Sequence, residues 1–286
     1  MAFDVLCAWL YPIAISVYMS DEQKETFFNN HPEMNPEELN NVPKEAHSCD
    51  GFIATGDATA TGGTIMTRDF MISPALGNYA VMMRYKPDKG NDFVACNMPG
   101  FVGLGVGMND KQVAIGVDMI SGVLTNPIAV GMGCLLKCRW IMQYDDTKEE
   151  GAETIDGDVS VATGVPWIYP IADMEGGLVC ESAPWTFFAR TDDYVFPEEE
   201  VDQNSGVIRQ IENRDDLILF ANHYISTEMR ESDFFSSIYE NLEANGHYAT
   251  LDSIYRYEFQ AYQVENAIAS DGITSEDAIA LCNYHS

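Results

Sequence analysis

Residues His47 to Met71 read HSCDGFIATGDATATGGTIMTRDFM, and the fold turns on how this stretch is read. Cys49 stands directly before an apolar, strand-like run, and Gly62-Gly63 turn the chain into a second run carrying Arg68 and Asp69 side by side. β-rich residues bounded by turn formers predict strands over Gly51 to Thr55 and Thr64 to Met71. Alternation along the second strand sends Asp69 to the face of Ile65 and Thr67, and Arg68 to the opposite face. A cysteine at the head of a strand is either small core packing or, when the chain is cut before it, a nucleophile that carries its own base. The freed α-amine, with a reference pKa of about 7.7 to 8.0, can take the thiol proton near neutral pH. No histidine partner is then needed, which suits a chain with only five histidines, none of them in a recognisable dyad. The chemistry requires cleavage of the Ser48–Cys49 bond.

Outward from this hairpin the chain divides into a leader or propeptide over residues 1–48, helical and then polar, and a catalytic domain over 49–286. Turn residues at Pro87-Asp88, Pro99-Gly100 and Asn109-Asp110 separate further strands over Tyr79 to Tyr85, Phe93 to Asn97 and Val113 to Met119. A helix is predicted over Cys134 to Tyr144, then short strands over Val159 to Thr163, Trp167 to Ala172 and Leu178 to Glu181. The last third reads as helices: one through Phe234, Phe235, Ile238, Tyr239 and Leu242, one from Asp252 to a stop at Asp271-Gly272, and one opened by Thr274 and Asp277 as a capping box. Helical ends around a strand-rich centre predict sheets packed on each other and covered by helices, an α+β architecture.

With 46% apolar and 11% aromatic residues in 286, the chain can bury a sizeable core. Its formal charge of -30 repels nucleic acid and anionic membrane surfaces, so neither is an expected partner. Acidic runs such as Pro197 to Glu200 read as solvated surface, and the run from Asp145 to Glu150 lacks the spacing of a calcium loop. Cys7, Cys49, Cys96, Cys134, Cys138, Cys180 and Cys282 are an odd set in a long chain and favour reduced thiols; Cys134 and Cys138 read as helix core rather than zinc ligands. Val5 to Tyr18 is short, contains Pro12 and follows no basic region, so it reads as a buried helix and the expected location is cytoplasmic. No nucleophile elbow, P-loop or dinucleotide fingerprint occurs; Met108 takes the final glycine position after Gly103, Gly105 and Gly107. No cofactor or metal is implied.

The ordered segments SCDGFIATGDATATGG, TRDFM, PGFVGLGVGMND, GVPWIYPIADMEGG and ANHY resemble the cysteine-type N-terminal-nucleophile hydrolases related to acyl-coenzyme A:6-aminopenicillanate acyltransferase, from about His47 to Asn283. The resemblance implies an αββα four-layer sandwich, self-cleavage before the cysteine, and hydrolysis or acyl transfer at a linear amide bond of a small-molecule substrate. It implies Cys49 as nucleophile, Asp69 as the group that orients its amine, and Asn109 as part of the oxyanion hole. Asn222 and His223 match a supporting Asn-His pair, Arg256 belongs to a downstream Ser-x-x-Arg element with Ser253, and Arg68 stands between surface cation and pocket cation. The chain departs from the pattern at Ile168, where related sequences place an asparagine, and it stops where similar proteins add strands, so the sandwich is expected to be incomplete at the C-terminus or completed in a homo-oligomer. A non-catalytic binding module of the same fold is the second expectation, and a dipeptidase or lipid-amide hydrolase the nearest enzymatic one.

Overall fold

A computed structural model describes residues 49–70, 79–120, 132–159, 166–183, 186–194, 214–232 and 248–282. In chain order the strands are β1 (Cys49–Gly56), β2 (Gly62–Met66), β3 (Asp69–Phe70), β4 (Val81–Tyr85), β5 (Phe93–Asn97), β6 (Val106–Asn109), β7 (Ala114–Gly116), β8 (Asp118–Met119), β9 (Trp167–Asp173), β10 (Gly176–Ala183), β11 (Thr186–Arg190) and β12 (Leu217–Ala221). The helices are α1 (Cys134–Tyr144), α2 (Lys148–Val159), α3 (Thr227–Arg230), α4 (Tyr248–Asp271) and α5 (Ser275–Cys282). One sheet runs β12-β1-β2, with β3 also on β1; the larger runs β11-β10-β9-β7-β6-β5-β4, with β8 on β9. The pairs are antiparallel throughout.

Alternation along the strands sorts the apolar residues into three separate cores, and those cores define the layers. Ile53 of β1 and Ile218 and Phe220 of β12 meet Ile168, Ala172 and Val179 between the sheets. Phe52, Ala54, Leu217 and Leu219, from the other face of the smaller sheet, pack against Tyr257, Ala261 and Val264 of α4. Phe93, Ile115, Tyr169, Ile171 and Cys180, from the outer face of the larger sheet, pack against Cys138, Ile141 and Met142 of α1 and Ile155 of α2. The order is helix, sheet, sheet, helix: the αββα sandwich that the resemblance implies. Among the described residues, no helix is long and apolar enough to cross a membrane.

The first strand begins at Cys49, and α1 spans the predicted residues. The predicted strand at Thr64 to Met71 is broken into β2 and β3, and that at Val113 to Met119 into β7 and β8. Helix α2 was not expected. Its signal is a capping box, in which Thr147 Oγ1 accepts the Glu150 N–H at 3.2 Å, but the acidic run hides it. Val159 ends this helix instead of opening a strand, and the helix predicted around Phe234 lies outside the described residues, as do residues 1–48. Helix α4 starts ahead of Asp252 and stops at Gly272, whose φ of +79° and close fit against Ala60 suit a residue without Cβ. Thr274 caps α5, with Asp277 N–H on its Oγ1 at 3.1 Å and Thr274 N–H on Asp277 Oδ2 at 3.0 Å.

Gly51 faces the inter-sheet space two residues from Cys49, and a Cβ there would lie 2.4 Å from Thr67 O and 2.6 Å from a Phe220 ring carbon. The first contact is with backbone, which cannot rotate aside. Gly51→Ala is expected to cost about 2–3 kcal/mol through overpacking, seen as a lower urea midpoint with unchanged slope; a midpoint at the wild-type value would show that the strands separate freely.

Candidate active site

Strand alternation decides what surrounds Cys49. Its side chain shares the inter-sheet face with Gly51 and Ile53, whereas Asp50 points with Phe52 toward α4. The register sets Cys49 opposite Phe70 and Asp50 opposite Asp69. Arg68 and Asp69 do lie on opposite faces, but it is Arg68 that reaches the thiol: its Nη2 is 3.6 Å from Cys49 Sγ. The same guanidinium donates through Nε to Asp118 Oδ1 at 2.7 Å and through Nη2 to Val117 O. Asp69 shares the helix-side face with Asp50, on the far side of the smaller sheet from the sulfur.

The backbone N–H of Cys49 donates to Asn222 Oδ1 at 2.6 Å, placed there by the end of β12, which pairs with β1. Asn222 Nδ2 donates across the sandwich to Met119 O at 2.7 Å. From α4, Arg256 donates to Cys49 O at 3.1 Å, Asp50 Oδ2 at 3.2 Å, Asn222 Oδ1 at 3.0 Å and Asp252 Oδ2 at 2.9 Å. Gln260, one turn further on, gives Nε2 to Asp50 Oδ1 at 3.2 Å. The Asn222 loop is itself pinned: Glu181 of β10 accepts Ile225 N–H at 3.2 Å, Ser226 N–H at 3.1 Å and Ser226 Oγ at 2.6 Å, and is paired with Arg190. His223 lies beneath, Nδ1 2.8 Å from Ser253 Oγ and its ring edge-on to Tyr257. Burial, with Arg256, Arg230 and Arg190 adding to it, pushes His223 well below the usual histidine range, so its imidazole is neutral at neutral pH.

Thus Cys49, Arg68, Asn222 and Arg256 come together. Asn109 does not join them. It pairs across the larger sheet with Phe93, on the outer face; its Nδ2 donates to Met142 O at 3.3 Å and Asp145 O at 2.9 Å, its Oδ1 accepts Lys111 and Val113 N–H, and its own N–H goes to Val113 O. It caps the connection between α1 and α2. Ser48 lies outside the described residues. Ile168 is fully buried between the sheets, directly opposite Asp118 on one side and Glu181 on the other. It is an aliphatic spacer between two carboxylates, each already paired with its own arginine.

Sequence reading passed over Asp118, Asp50 and Gln260. Asp118 had a signal: it is the one charged residue in the apolar run Val113 to Ile120, and a charge inside such a strand must find a buried partner. Asp50 was open to the same alternation argument as Asp69, whereas Gln260 depends on a helix docking that no local pattern reveals.

Electrostatics follow from this packing. Burial first, then the charge of Asp118, pushes the Cys49 thiol up to about 12, while Arg68 and Arg256 pull it down. Burial likewise raises the Asp118 carboxyl from 3.8 to about 6, although Arg68 opposes it. The Arg68–Asp118 pair is 2% and 0% exposed at its side chains; such pairs add little net stability, but losing one partner costs about 3–5 kcal/mol.

No family model matches the chain. An uncharacterized protein of Archaeoglobus fulgidus is 35% identical over 263 residues, which cover 90% of this chain and 38% of that protein. The chain therefore spans well under half the length of that relative. Solved structures similar in fold include a Caenorhabditis elegans ortholog of N-acylethanolamine-hydrolyzing acid amidase, at 10% identity, covering 82% of this chain and 86% of that one, with a TM-score of 0.49. A conjugated bile acid hydrolase from Clostridium perfringens is similar at 11% identity over 82% of this chain and 78% of that one, with a TM-score of 0.48.

Because native Asp118 keeps its proton to higher pH than the unfolded chain does, its stabilising contribution is complete below about pH 4 and is lost as pH rises through about 6. Asp118→Asn cannot titrate. Between pH 4 and 7 the wild type should lose about 3 kcal/mol of unfolding free energy relative to this variant, measured by urea unfolding; parallel pH profiles would show that Asp118 ionises as it does in the unfolded chain.

Proposed function

We propose that the chain is a cysteine-dependent amide hydrolase or acyltransferase of the N-terminal-nucleophile type, with Cys49 as the nucleophile once the Ser48–Cys49 bond is cut. The observation that carries this reading is the 2.6 Å contact from Cys49 N to Asn222 Oδ1, with the Arg68 guanidinium at the sulfur. An acceptor on one N–H orients the amine that cleavage would free, leaving its lone pair to take the thiol proton. The thiolate then attacks an amide carbonyl, and the oxyanion forms beside Arg68, whose positive charge stabilises it. The ammonium returns its proton to the leaving amine as the C–N bond breaks, leaving a thioester on Cys49. Water, or another amine, resolves the thioester and restores the thiol.

The acyl side of the substrate is apolar on this reading. Arg68 packs over Gly116, where a Cβ would be 3.1 Å from Arg68 Cδ and 3.2 Å from Pro170 Cγ. Gly116 is followed across the sheet by Val106, Cys96 and Met82, and in the neighbouring row Ala114 by Met108 and Val94. This face is the inter-sheet surface continued beyond the smaller sheet, and it bears Met82 at 73%, Met108 at 47% and Val94 at 38% exposure. From Gly116 it extends over about 14 Å, three interstrand spacings, which suits a hydrophobic acyl chain.

Intact-mass measurement tests the reading. Wild type should give two fragments divided at Ser48–Cys49, and Cys49→Ala should stay whole and inactive. A wild-type chain that stays whole yet hydrolyses amides overturns self-cleavage. A chain that is whole and inert, with a thiol of ordinary reactivity, leaves the binding module, the reading that Ile168 in place of asparagine favours.

Met82→Asp and Met108→Asp change exposed side chains and should leave folding intact. Each is expected to lower kcat/KM on a long-chain acyl anilide by about tenfold, the worth of one apolar side chain's contact, with little effect on the acetyl anilide. Equal losses on both substrates would place the acyl group elsewhere.

A further inference from the structure

We propose that Asp118 is a positioning residue for the Cys49 thiol, acting through Arg68. The proposal rests on the reading of Cys49 as the reactive group, but its readout is the chemistry of the thiol itself and needs no turnover.

Contacts along its whole length fix the Arg68 side chain. Its stem lies on Gly116, where any Cβ would press on it at 3.1 Å. Its Nε is held by Asp118 Oδ1 at 2.7 Å, and Nη2 spans Val117 O and Cys49 Sγ, the last at 3.6 Å. A guanidinium is planar, so anchoring Nε against a carboxylate determines where Nη2 points. Asp118 is completely buried, yet its Oδ2 has no hydrogen-bond partner among the described residues. A carboxylate selected for stability alone would be expected to satisfy both oxygens; this one has a single anchoring contact, and that contact aims Arg68 at the sulfur. Strand order explains the geometry. β8 sets Asp118 opposite Ile168, on the face that meets the smaller sheet, so the carboxylate approaches Arg68 from the sheet opposite the thiol.

Charge and position make opposite predictions. Asp118 places a negative charge near the thiol, which opposes the thiolate, while the arginine it holds favours the thiolate. Asp118→Asn keeps an acceptor for Arg68 Nε and removes only the charge. Asp118→Ala removes the charge and the anchor, and also opens space beside the sulfur. Asp118→Glu keeps the charge and displaces the anchor by one methylene.

The experiment is the rate of iodoacetamide alkylation of Cys49 in the 286-residue chain near pH 8, read by mass spectrometry of the Cys49 peptide, with thermal melts to confirm folding. The expected result is a rate increased about tenfold in Asp118→Asn and reduced severalfold in both Asp118→Glu and Asp118→Ala. The fall in the alanine variant is diagnostic, because easier access and loss of negative charge would each raise the rate. An increase in Asp118→Ala matching that in Asp118→Asn, with Asp118→Glu at the wild-type rate, would overturn the proposal in favour of a charge effect alone. Should Asp118→Ala fail to fold, Asp118→Glu retains the ion pair and decides by itself. Failure of the nucleophile reading shows separately, as an uncut wild-type mass.

Discussion

Asn222 is the point at which the sandwich is tied together. Its Oδ1 receives the Cys49 N–H at 2.6 Å and an Arg256 N–H at 3.0 Å, while its Nδ2 reaches Met119 O at 2.7 Å. One amide therefore links the head of β1, the end of β12, the helix above the smaller sheet and a strand of the larger one. Each of its bonds is buried or partly buried, where an unmade hydrogen bond costs about 1–3 kcal/mol. The position is possible because β12 pairs antiparallel with β1 and ends beside the residue where β1 begins, so a side chain leaving β12 meets the N–H of Cys49. What holds Asn222 is also remote: Glu181, on the other sheet, binds the Ile225 and Ser226 N–H groups of the same loop.

The charges around Cys49 form two arms on opposite faces of β1. On the helix side, Arg256 neutralises Asp50, and Gln260 donates to its other oxygen. Between the sheets, Arg68 neutralises Asp118. β1 separates them, because successive side chains face opposite ways. Neither arm is economical as a source of stability, since well-packed apolar residues would fill the same volume at less desolvation cost. Their effect is to fix a main-chain nitrogen, a carbonyl and a sulfur at one strand end within two opposing cationic groups. The isoleucine at position 168 fits this plan: it is the apolar residue between Asp118 and Glu181 that keeps each carboxylate with its own arginine.

Much of this was open to reading from the residues. The three cores follow from period-two alternation in β1, β9, β10 and β12, and the capping box at Thr274 and Asp277 marked the last helix directly. Arg68 and Asp69 were separated correctly onto opposite faces, but alternation gives no information on which face meets the second sheet. That depends on where β8 and β9 lie, a matter of tertiary packing. Asn109 shows the converse. Its Gly-Met-Asn setting resembles an oxyanion element, yet its side-chain amide is wholly used on four backbone groups, two carbonyls at the end of α1 and just beyond it and two N–H groups of the turn after β6. Helix α2 was hidden because its acidic first turn, favourable at a helix N-terminus, looks in sequence like a solvated charge run.

Burial and Asp118 hold the thiol of the intact chain near 12, so that almost none is ionised at neutral pH. On the proposed reading this is the state before cleavage, and it explains why the site needs a base within the same residue. Arg68 and Arg256 alone do not offset burial. A histidine is close in sequence to Asn222, but His223 faces α4 and hydrogen-bonds Ser253, separated from the sulfur by the smaller sheet. The amine that cleavage would release arises at the atom already bound to Asn222, a few bonds from the sulfur. The proton then moves within one residue, creating an ammonium as the thiolate forms. The burial that suppresses an isolated thiolate is far less costly for such an adjacent pair of opposite charges, so the packing that keeps the thiol silent in the intact chain is compatible with its reactivity once the bond before it is cut.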